Sequence, residues 1–383
     1  MRSSTRSRAR SSSPRSDTKR AAARRDGYLR PVSILDRLQR DLPLAPRTTL
    51  GLGGPARFLV EVRDDAELVE ALAWAEAEGQ RVAVIGGGSN LVVSDAGWDG
   101  LVIAMASRGV ETLDDAGGRV HLRVQAGEPW DALVARVVDE DLAGIECLAG
   151  IPGQVGATPI QNVGAYGQEV SSVLTRVHAY DREAKRFVTI EAADCAFGYR
   201  DSRFKRAPEG QVVTSVELVL HRGGRPTIAY AELEKKLGER AGSATLAEVR
   251  QTVIALRRAK SMVLDPRDPD TRSAGSFFTN PIVDDRTRDE VLARAKARGL
   301  ARVPTYAQPD GRTKLAAGWL IEQAGVTKGL RRGAVGISSQ HALALVHHGG
   351  GTTRELLALA DDVVARVRDA WGVTLEREPV LLG

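Results

Sequence analysis

Short apolar segments separated by polar turns predict a strand-rich first half of the chain. Residues 56–62 and 81–85 have the length and apolar content of buried strands, and the apolar positions over 65–78 recur with helical spacing. A second helix is predicted over 130–139, with Pro129 in its first turn. Further strands are predicted over residues 101–104, 120–124, 176–180, 186–190 and 212–220. Up to about residue 222 the pattern is therefore α+β, in two lobes that each contain a helix.

The remainder of the chain is predicted to be mainly helical. Thr245 and Glu248 form a capping-box pattern that begins a helix ending near Lys260. Further helices are predicted over residues 284–298, 313–324 and 353–371. Residues 263–281 and 302–311 are rich in proline and glycine and are predicted to be irregular loops, where functional residues tend to lie.

These elements divide the chain into a first region over residues 31–222 and a second over 223–383. Within the second region, a last strand at about 373–383 is predicted to pack back on the first lobe.

Positive charge is concentrated at the N-terminus. Residues 1–30 contain ten Lys and Arg against two acidic residues, a net charge of +8, whereas residues 31–383 contain 44 basic and 47 acidic residues, a net charge of −3. The tail is rich in Ser and Arg and is predicted to be disordered. It lacks the apolar core of a secretory signal. A nucleic-acid-binding arm is the alternative to a solvated extension or an upstream start codon, and we expect no nucleic-acid partner.

Cysteine, histidine and hydropathy patterns give no indication of a metal or membrane protein. Cys147 and Cys195 are the only cysteines, and their spacing fits neither a zinc site nor a C-x-x-C redox motif. The six histidines show no metal-ligand spacing, and no segment is apolar enough to cross a bilayer. We therefore expect a cytoplasmic protein with no bound metal, no membrane insertion and a monomeric state.

The most unusual segment is residues 148–167, which contains no charged residue in a chain that is 27% charged. Its five glycines and two prolines exclude a helix and predict backbone that passes close to another group. Gln161, Asn162 and Tyr166 add neutral hydrogen-bonding groups. A large, flat, neutral ligand such as a flavin ring suits such a segment; the alternative is a buried irregular loop between strands.

A second glycine cluster, Gly86-Gly87-Gly88-Ser89-Asn90, directly follows the predicted strand at 81–85. Consecutive peptide N–H groups without side chains can surround phosphate oxygens. The cluster lacks the G-x-G-x-x-G spacing of a dinucleotide fingerprint, so a purely structural turn is an equally good interpretation.

Three further side chains lie in segments suited to chemistry. Arg200 occupies an aromatic turn, where a guanidinium can bind a carboxylate or a flavin carbonyl through two hydrogen bonds. Ser276 follows a glycine and precedes two phenylalanines, without the G-x-S-x-G pattern of a hydrolase nucleophile. Glu378 lies near the C-terminus. The alternatives are a surface arginine, a structural serine and a solvated carboxylate.

Taken together, the motifs and their order along the chain from about Arg47 onward resemble those of the UDP-N-acetylenolpyruvoylglucosamine reductase (MurB) family of bacterial peptidoglycan synthesis. The blocks that carry the resemblance are residues 49–54, 85–91, 150–167, 197–202, 275–281, 314–323 and 375–378. Several ordered blocks over more than three-quarters of the chain are far more specific than any one of them.

The resemblance implies an α+β fold with a two-lobed FAD-binding region of the vanillyl-alcohol-oxidase (PCMH) type over 31–222, its core at 50–222, and an α+β substrate-binding domain over 223–383. It implies FAD as cofactor and NADPH as electron donor. The residues that match the family's FAD contacts are Gly86, Gly87, Gly88, Ser89, Asn90, Gly150, Ile151, Pro152, Gly153, Gly156, Ala157, Gln161, Asn162, Gly164 and Ala165. No histidine lies in either glycine-rich segment, so we expect FAD to be bound non-covalently.

The activity implied is reduction of the enolpyruvyl ether of UDP-N-acetylglucosamine to UDP-N-acetylmuramate. By resemblance, Ser276 donates a proton to the substrate carbon, while Arg200 and Glu378 stabilise the enolate-like intermediate. Glu378 contributes only if it is protonated or bridged, because a bare anion beside an enolate would repel it, and we expect its pKa to be raised. The residues that match substrate contacts are Tyr199, Tyr230, Lys260, Asn280 and Gln340. His341 is an equal candidate for the position of Gln340, and Ala231 replaces a glycine in the family's tyrosine-bearing loop.

Two other functions fit part of the sequence. A sugar or hydroxy-acid oxidase on the same flavin fold would use oxygen and would lack the segment around Ser276. A nucleic-acid binder would depend on the basic tail.

Overall fold

The first lobe is a mostly parallel sheet with one covering helix. The structure is a computed structural model that describes residues 33–383, and the basic tail predicted for residues 1–30 lies outside this range. The elements of this lobe are β1 (Gln39–Pro43), β2 (Pro55–Val62), α1 (Asp65–Ala77), β3 (Val82–Ile85), β4 (Leu91–Val93) and β5 (Trp98–Met105). The sheet order is β1-β2-β5-β3, in which β2, β5 and β3 are parallel and β1 is antiparallel to β2.

Helix α1 begins at Asp64, whose side chain accepts a hydrogen bond from the backbone N–H of Glu67. Its buried residues Leu68, Ala71 and Ala75 pack on one face of the sheet. A second apolar cluster covers the other face. Burial on both faces explains why the parallel strands are continuous apolar runs. The strands and the helix predicted in this lobe are confirmed, whereas the edge strand β1, which has a polar sequence, has no such pattern.

The second lobe is an antiparallel sheet covered by helices. Its elements are β6 (Val110–Ala116), β7 (Arg119–Gln125), α2 (Trp130–Asp139), β8 (Leu142–Ala143), β9 (Gly164–Ala165), β10 (Gln168–Glu169), β11 (Leu174–Asp181), β12 (Arg186–Glu191), α3 (Arg203–Arg206), β13 (Gln211–Arg222), α4 (Ala231–Leu237) and α5 (Leu246–Arg258). The main sheet has the order β12-β11-β13-β7-β6, with β8 paired to the end of β13. The capping box predicted at Thr245 and Glu248 is confirmed at the start of α5.

The core of this lobe includes helices from beyond its last strand. Val249 and Val253 of α5 belong to the same buried cluster as Val216 of β13 and Trp130 of α2. Helices α4 and α5 therefore pack on the second lobe. The domain boundary near residue 222 stays a prediction, and this packing favours a boundary after α5.

The C-terminal region contains two small sheets and three helices. Its elements are β14 (Ile282–Val283), α6 (Asp285–Ala297), β15 (Thr305–Ala307), β16 (Thr313–Leu315), α7 (Ala317–Gln323), β17 (Arg331–Arg332), β18 (Val335–Ile337), β19 (Leu345–His347), α8 (Thr353–Trp371) and β20 (Val380–Leu382). The sheet orders are β14-β16-β15 and β17-β18-β19. Helix α8 buries Leu356, Leu359, Val363, Val367 and Trp371.

The single helix predicted over residues 313–324 is wrong in its first part. Thr313–Leu315 is strand β16, and the helix begins at Ala317. Thr313 and Leu315 are buried while Lys314 between them is half-exposed, which is the two-residue period of a strand. Asn280 Oδ1 accepts a hydrogen bond from the N–H of Ala317 at 2.9 Å and so defines where the helix starts.

The C-terminal strand returns to the first lobe. Strand β20 pairs in parallel with β4, and Leu382 is buried among the residues of the first sheet. In the opposite direction, Leu50 and Leu52 contribute to the buried cluster of the C-terminal region. Residues 34–383 form one compact unit. These exchanges bring Glu378, just before β20, next to the glycine cluster at residues 86–90. No helix in the described range is long and apolar enough to cross a membrane.

Candidate active site

A cavity of about 1410 Å³ is lined by residues of both lobes and of the C-terminal region. Pockets for a single small molecule usually measure about 300–1,000 Å³. The volume therefore suits a large ligand together with a second molecule. The predicted glycine-rich segments lie on one side of this cavity, and Arg200, Ser276 and Glu378 also line it.

The two glycine-rich segments contact each other backbone to backbone. A Cβ atom on Gly87 would lie 2.8 Å from Cα of Gly153, which is closer than real Cβ contacts allow. Gly88 has a φ of 64°, and a Cβ there would lie 1.9 Å from the carbonyl oxygen of Arg47. Ser89 Oγ donates to the carbonyl of Pro152 at 3.0 Å and ties the segments together. Their backbones form the cavity wall because no side chains intervene, which suits a phosphate-bearing ligand.

Neutral amides form the adjoining part of the wall. Asn90 Nδ2 donates to Gln161 Oε1 at 2.8 Å. Gln154 Nε2 donates to the carbonyl of Met105 at 3.1 Å, while Gln154 Oε1 is buried without a hydrogen-bond partner in the part of the chain that the structure describes. A buried acceptor left unpaired at a cavity wall fits an N–H group of a bound ligand. Gln154 lies within the neutral segment, but no sequence motif distinguishes it as a ligand contact.

The other predicted cofactor-binding residues line the cavity, with two exceptions, Gly150 and Asn162. Asn162 is 1% exposed, and its amide group is used within its own loop. Its Nδ2 donates to Glu169 Oε2 at 2.9 Å and to the carbonyl of Gly198 at 3.1 Å, and its Oδ1 accepts from the N–H of Ser171. The N–H of Gly150 donates to Asp131 Oδ1 at 2.6 Å. The polar groups of these two residues therefore shape the loop, and their contact with the cofactor stays a prediction.

Arg200 is held in one orientation by contacts on several sides. Its backbone has a φ of 55°, and its carbonyl accepts from Lys205 Nζ at 2.8 Å. Its Nη2 donates to the carbonyl of Gly164 at 2.7 Å, and its Nε lies 2.9 Å from Glu378 Oε1. The guanidinium is therefore fixed between the neutral segment and the C-terminal carboxylate at the cavity.

Glu378 is placed by the segment that contains Ser276. Its N–H donates to the carbonyl of Phe277 at 3.0 Å, and its side chain is 12% exposed. Burial raises the pKa of Glu378, while the nearby cations of Arg200 and Lys205 act in the opposite direction. The net direction is upward, as the sequence-based hypothesis requires.

Ser276 faces a histidine. Its Oγ lies 3.2 Å from Nε2 of His341. Burial, together with the cations of Lys260, Lys328 and Arg257, lowers the pKa of His341 to about 4. The imidazole is therefore neutral near pH 7. This contact involves a residue that the sequence offered only as an alternative to Gln340.

Of the predicted substrate contacts, Tyr199, Tyr230 and Lys260 line the cavity. Tyr230 is 45% exposed and packs edge-on against Tyr166 at a centroid distance of 5.4 Å. Lys260 Nζ pairs with Glu232 Oε2 at 2.5 Å. Lys314 also lines the cavity, with its Nζ 4.6 Å from the ring centroid of Tyr199. It begins the matching block at 314–323 but is not among the predicted substrate contacts.

Asn280 and Gln340 do not line the cavity. Asn280 Nδ2 donates to the hydroxyl of Tyr199 at 3.3 Å, and its Oδ1 caps α7, so it acts behind the wall. Gln340 is exposed and donates to Ser339 Oγ. His341, the other candidate for this position, lines the cavity, and the substrate contact of either residue stays a prediction.

Groups suited to a metal ion are absent from residues 33–383, where no cluster of three or more His, Cys, Asp or Glu side chains occurs. Cys147 and Cys195 are free and buried, and burial raises the pKa of both thiols.

Comparison with known proteins identifies both regions. Residues 266–382 match the C-terminal domain of UDP-N-acetylenolpyruvoylglucosamine reductase, and residues 56–189 match an FAD binding domain. The chain is 52% identical over 348 residues to a UDP-N-acetylenolpyruvoylglucosamine reductase of Streptomyces avermitilis, covering 90% of this chain and 94% of that protein. The corresponding protein of Thermobifida fusca is 50% identical over 353 residues, with 90% and 98% covered.

A solved structure agrees. The crystal structure of UDP-N-acetylenolpyruvylglucosamine reductase (MurB) from Thermus caldophilus superposes with a TM-score of 0.61 at 27% identity, covering 91% of this chain and 99% of that one. The two-lobed FAD-binding fold expected from the sequence is thereby confirmed. The chain belongs to the UDP-N-acetylenolpyruvoylglucosamine reductase family of FAD-dependent oxidoreductases.

Proposed function

We propose that the protein reduces UDP-N-acetyl-3-O-(1-carboxyvinyl)-glucosamine to UDP-N-acetylmuramate with electrons from NADPH, in the synthesis of peptidoglycan precursors. One observation carries this proposal: Ser276 and the Arg200–Glu378 pair line the same cavity as the glycine-rich segments. A proton donor and a cation beside a flavin site suit the reduction of a carboxylate-bearing vinyl group.

The residues present fit FAD. Peptide groups of Gly86–Gly88 and Gly153 suit its pyrophosphate, and the unpaired Oε1 of Gln154 suits an N–H of its ring. Bound there, FAD would supply the two-electron chemistry that links NADPH to the substrate. The protein's part is to bind, orient and supply protons.

Arg200 and Ser276 have complementary roles. Reduction of the vinyl group leaves negative charge on the carbon that bears the carboxylate, and the fixed guanidinium of Arg200 stabilises that charge. Ser276 then donates its hydroxyl proton: its O–H bond breaks, a C–H bond forms at the substrate carbon, and the serine alkoxide takes up a proton from solvent before the next turnover. In this proposal Glu378 assists in its protonated form, which burial favours by raising its pKa.

Tyr199, Tyr230 and Lys260 bind the nucleotide-sugar in this proposal. Their position on the cavity wall supports it, since hydroxyls and an ammonium group suit a diphosphate. Lys260 Nζ also pairs with Glu232, and its ammonium has three N–H groups to share between this carboxylate and the ligand.

The visible spectrum of the purified protein tests the proposal under anaerobic conditions. We expect NADPH to bleach the flavin absorbance and the enolpyruvyl nucleotide to restore it, with UDP-N-acetylmuramate as product. Restoration by oxygen with turnover of a simple sugar or hydroxy acid would instead identify an oxidase. Acid precipitation should leave the yellow colour in the supernatant; colour in the pellet would show covalent attachment.

A further inference from the structure

We propose that His341 is a positioning residue for Ser276, donating its Nε2–H to Ser276 Oγ and so directing the serine proton into the cavity. This inference rests on the proposed function, because it matters only if Ser276 delivers the proton. It assigns a role to a residue that the sequence analysis treated only as a possible substrate contact.

Backbone hydrogen bonds fix the separation of the two side chains. The N–H of Phe277, next to Ser276, donates to the carbonyl of Leu343 at 2.7 Å. The His341 segment is closed on itself, because the N–H of Ala344 donates to the carbonyl of His341 at 3.1 Å. The 3.2 Å contact between Ser276 Oγ and His341 Nε2 therefore joins two tethered segments.

The charges around His341 favour the neutral imidazole. Lys260, Lys328 and Arg257 repel a proton on the ring, and Glu232 attracts one more weakly. A neutral imidazole has one N–H and one bare nitrogen, so Nε2 is either donor or acceptor to the serine.

The chemistry of Ser276 decides between these two tautomers. A serine hydroxyl has a single proton. If it donates that proton to Nε2, the proton points away from the substrate and cannot be transferred to it. If Nε2–H donates to Oγ, the hydroxyl proton is free to point into the cavity. Only the second arrangement permits Ser276 to act as a proton donor.

The same hydrogen bond assists the transfer itself. As the serine O–H bond breaks and the substrate C–H bond forms, negative charge develops on Oγ. An N–H donor already aimed at that oxygen stabilises the charge without reorganisation. An alcohol is a weak acid, so such a neighbour is what a proton-donating serine needs.

The test separates the two half-reactions by anaerobic stopped-flow spectroscopy. His341→Leu removes the donor, and His341→Gln retains an N–H donor on a side chain of similar reach. We expect flavin reduction by NADPH to stay within about twofold in both. The substrate-reduction step should slow by about 10–100-fold in His341→Leu and by clearly less in His341→Gln. Because the proton step becomes more limiting, the solvent deuterium isotope effect should rise in His341→Leu.

A double-mutant cycle distinguishes action through the serine from action on the substrate. If His341 acts through Ser276, His341→Leu should change the residual rate of Ser276→Ala by less than about twofold. A further large loss, or a raised KM at unchanged kcat, would identify a direct substrate contact and overturn the proposal. His348→Leu is the control, since His348 does not line the cavity.

The remaining outcomes are also decisive. Ser276→Ala with an undiminished substrate-reduction rate would overturn the proton assignment in the proposed function. A slow Ser276→Ala together with an unaffected His341→Leu would overturn only the positioning role. FAD content and thermal unfolding show whether each variant is folded. If His341→Leu does not fold, the half-reaction rates of His341→Gln alone test the proposal.

Discussion

The guanidinium Nε of Arg200 lies 2.9 Å from Oε1 of Glu378, while Nη2 of the same group donates to the carbonyl of Gly164 at 2.7 Å. Arg200 comes from the second lobe and Glu378 from the segment that returns to the first. The planar guanidinium of Arg200 thus joins the neutral segment, residues 148–167, to the segment just before β20. The arrangement exists only when both regions are in place. It uses two N–H groups of one planar guanidinium, a group that lysine lacks.

Arg200→Lys tests this geometry. A single ammonium cannot contact Glu378 and Gly164 together, so stabilisation of the developing charge should be lost. We expect the substrate-reduction step to slow by about 100–1,000-fold with flavin reduction by NADPH preserved. The matched control is Arg206→Lys, because Arg206 is exposed and pairs with Asp201 outside the catalytic group. Equal slowing in both half-reactions would contradict the assigned role.

Glu378→Gln tests the raised pKa. Burial raises the pKa of this carboxyl despite the opposing cations of Arg200 and Lys205. The protonated acid is the active form in the proposed mechanism, so the wild-type rate of substrate reduction should fall as pH rises through that pKa. The glutamine does not titrate, so this limb of the pH–rate profile should disappear. Its persistence in Glu378→Gln would assign it to another group.

Gly87→Ala tests the backbone contact that shapes the flavin wall. A Cβ at residue 87 would lie 2.8 Å from Cα of Gly153, and backbone cannot move aside as a flexible side chain can. We expect FAD to bind at least about 10-fold more weakly, a cost of about 1.4 kcal/mol, measured by recovery of flavin fluorescence on dilution. Gly242→Ala is the control, because nothing lies within 4 Å of a Cβ there. Unchanged FAD affinity in Gly87→Ala would argue that the two segments separate freely.

Glu217 provides a prediction about stability away from the cavity. Its side chain is 1% exposed and lies 2.9 Å from Arg123 Nη2 and 2.8 Å from His178 Nε2. Burial alone would raise its pKa, but the hydrogen bonds from Arg123 and His178 outweigh it and lower the pKa to about 2. A pKa below the unfolded value means that the stabilisation is complete above about pH 5 and is lost as pH falls toward 2.

Urea unfolding measures the size of this effect. We expect Glu217→Gln to lower the free energy of unfolding at pH 7 by about 2 kcal/mol, since the arginine partners are partly exposed. The difference from wild type should be smaller at pH 4. Glu191→Gln removes an exposed partner of Arg176 and should cost less than about 1 kcal/mol. A loss at pH 4 as large as that at pH 7 would show that the carboxylate charge is not the cause.

Much of the fold follows from local pattern. The first-lobe strands, helix α1 and the capped helices α5 and α8 are set by apolar period and end signals, which depend on residues close in sequence. Residues 313–324 show the limit of such signals. The same apolar residues suit a helix or a strand, and only pairing with β14 and β15 makes the first three a strand.

The sequence alone determined which residue types line the candidate site: glycines where backbone must pass backbone, neutral amides around them, and an arginine, a serine and a glutamate to which we assign charge stabilisation and proton transfer. Tertiary structure decided which of these side chains face the cavity. The amide of Asn162 forms hydrogen bonds within its own loop, the side chain of Gln340 is exposed, and His341 contacts Ser276. The physical reason is that a side chain whose donors and acceptors are all used by protein partners has none left for a ligand, and those partners include segments distant in sequence.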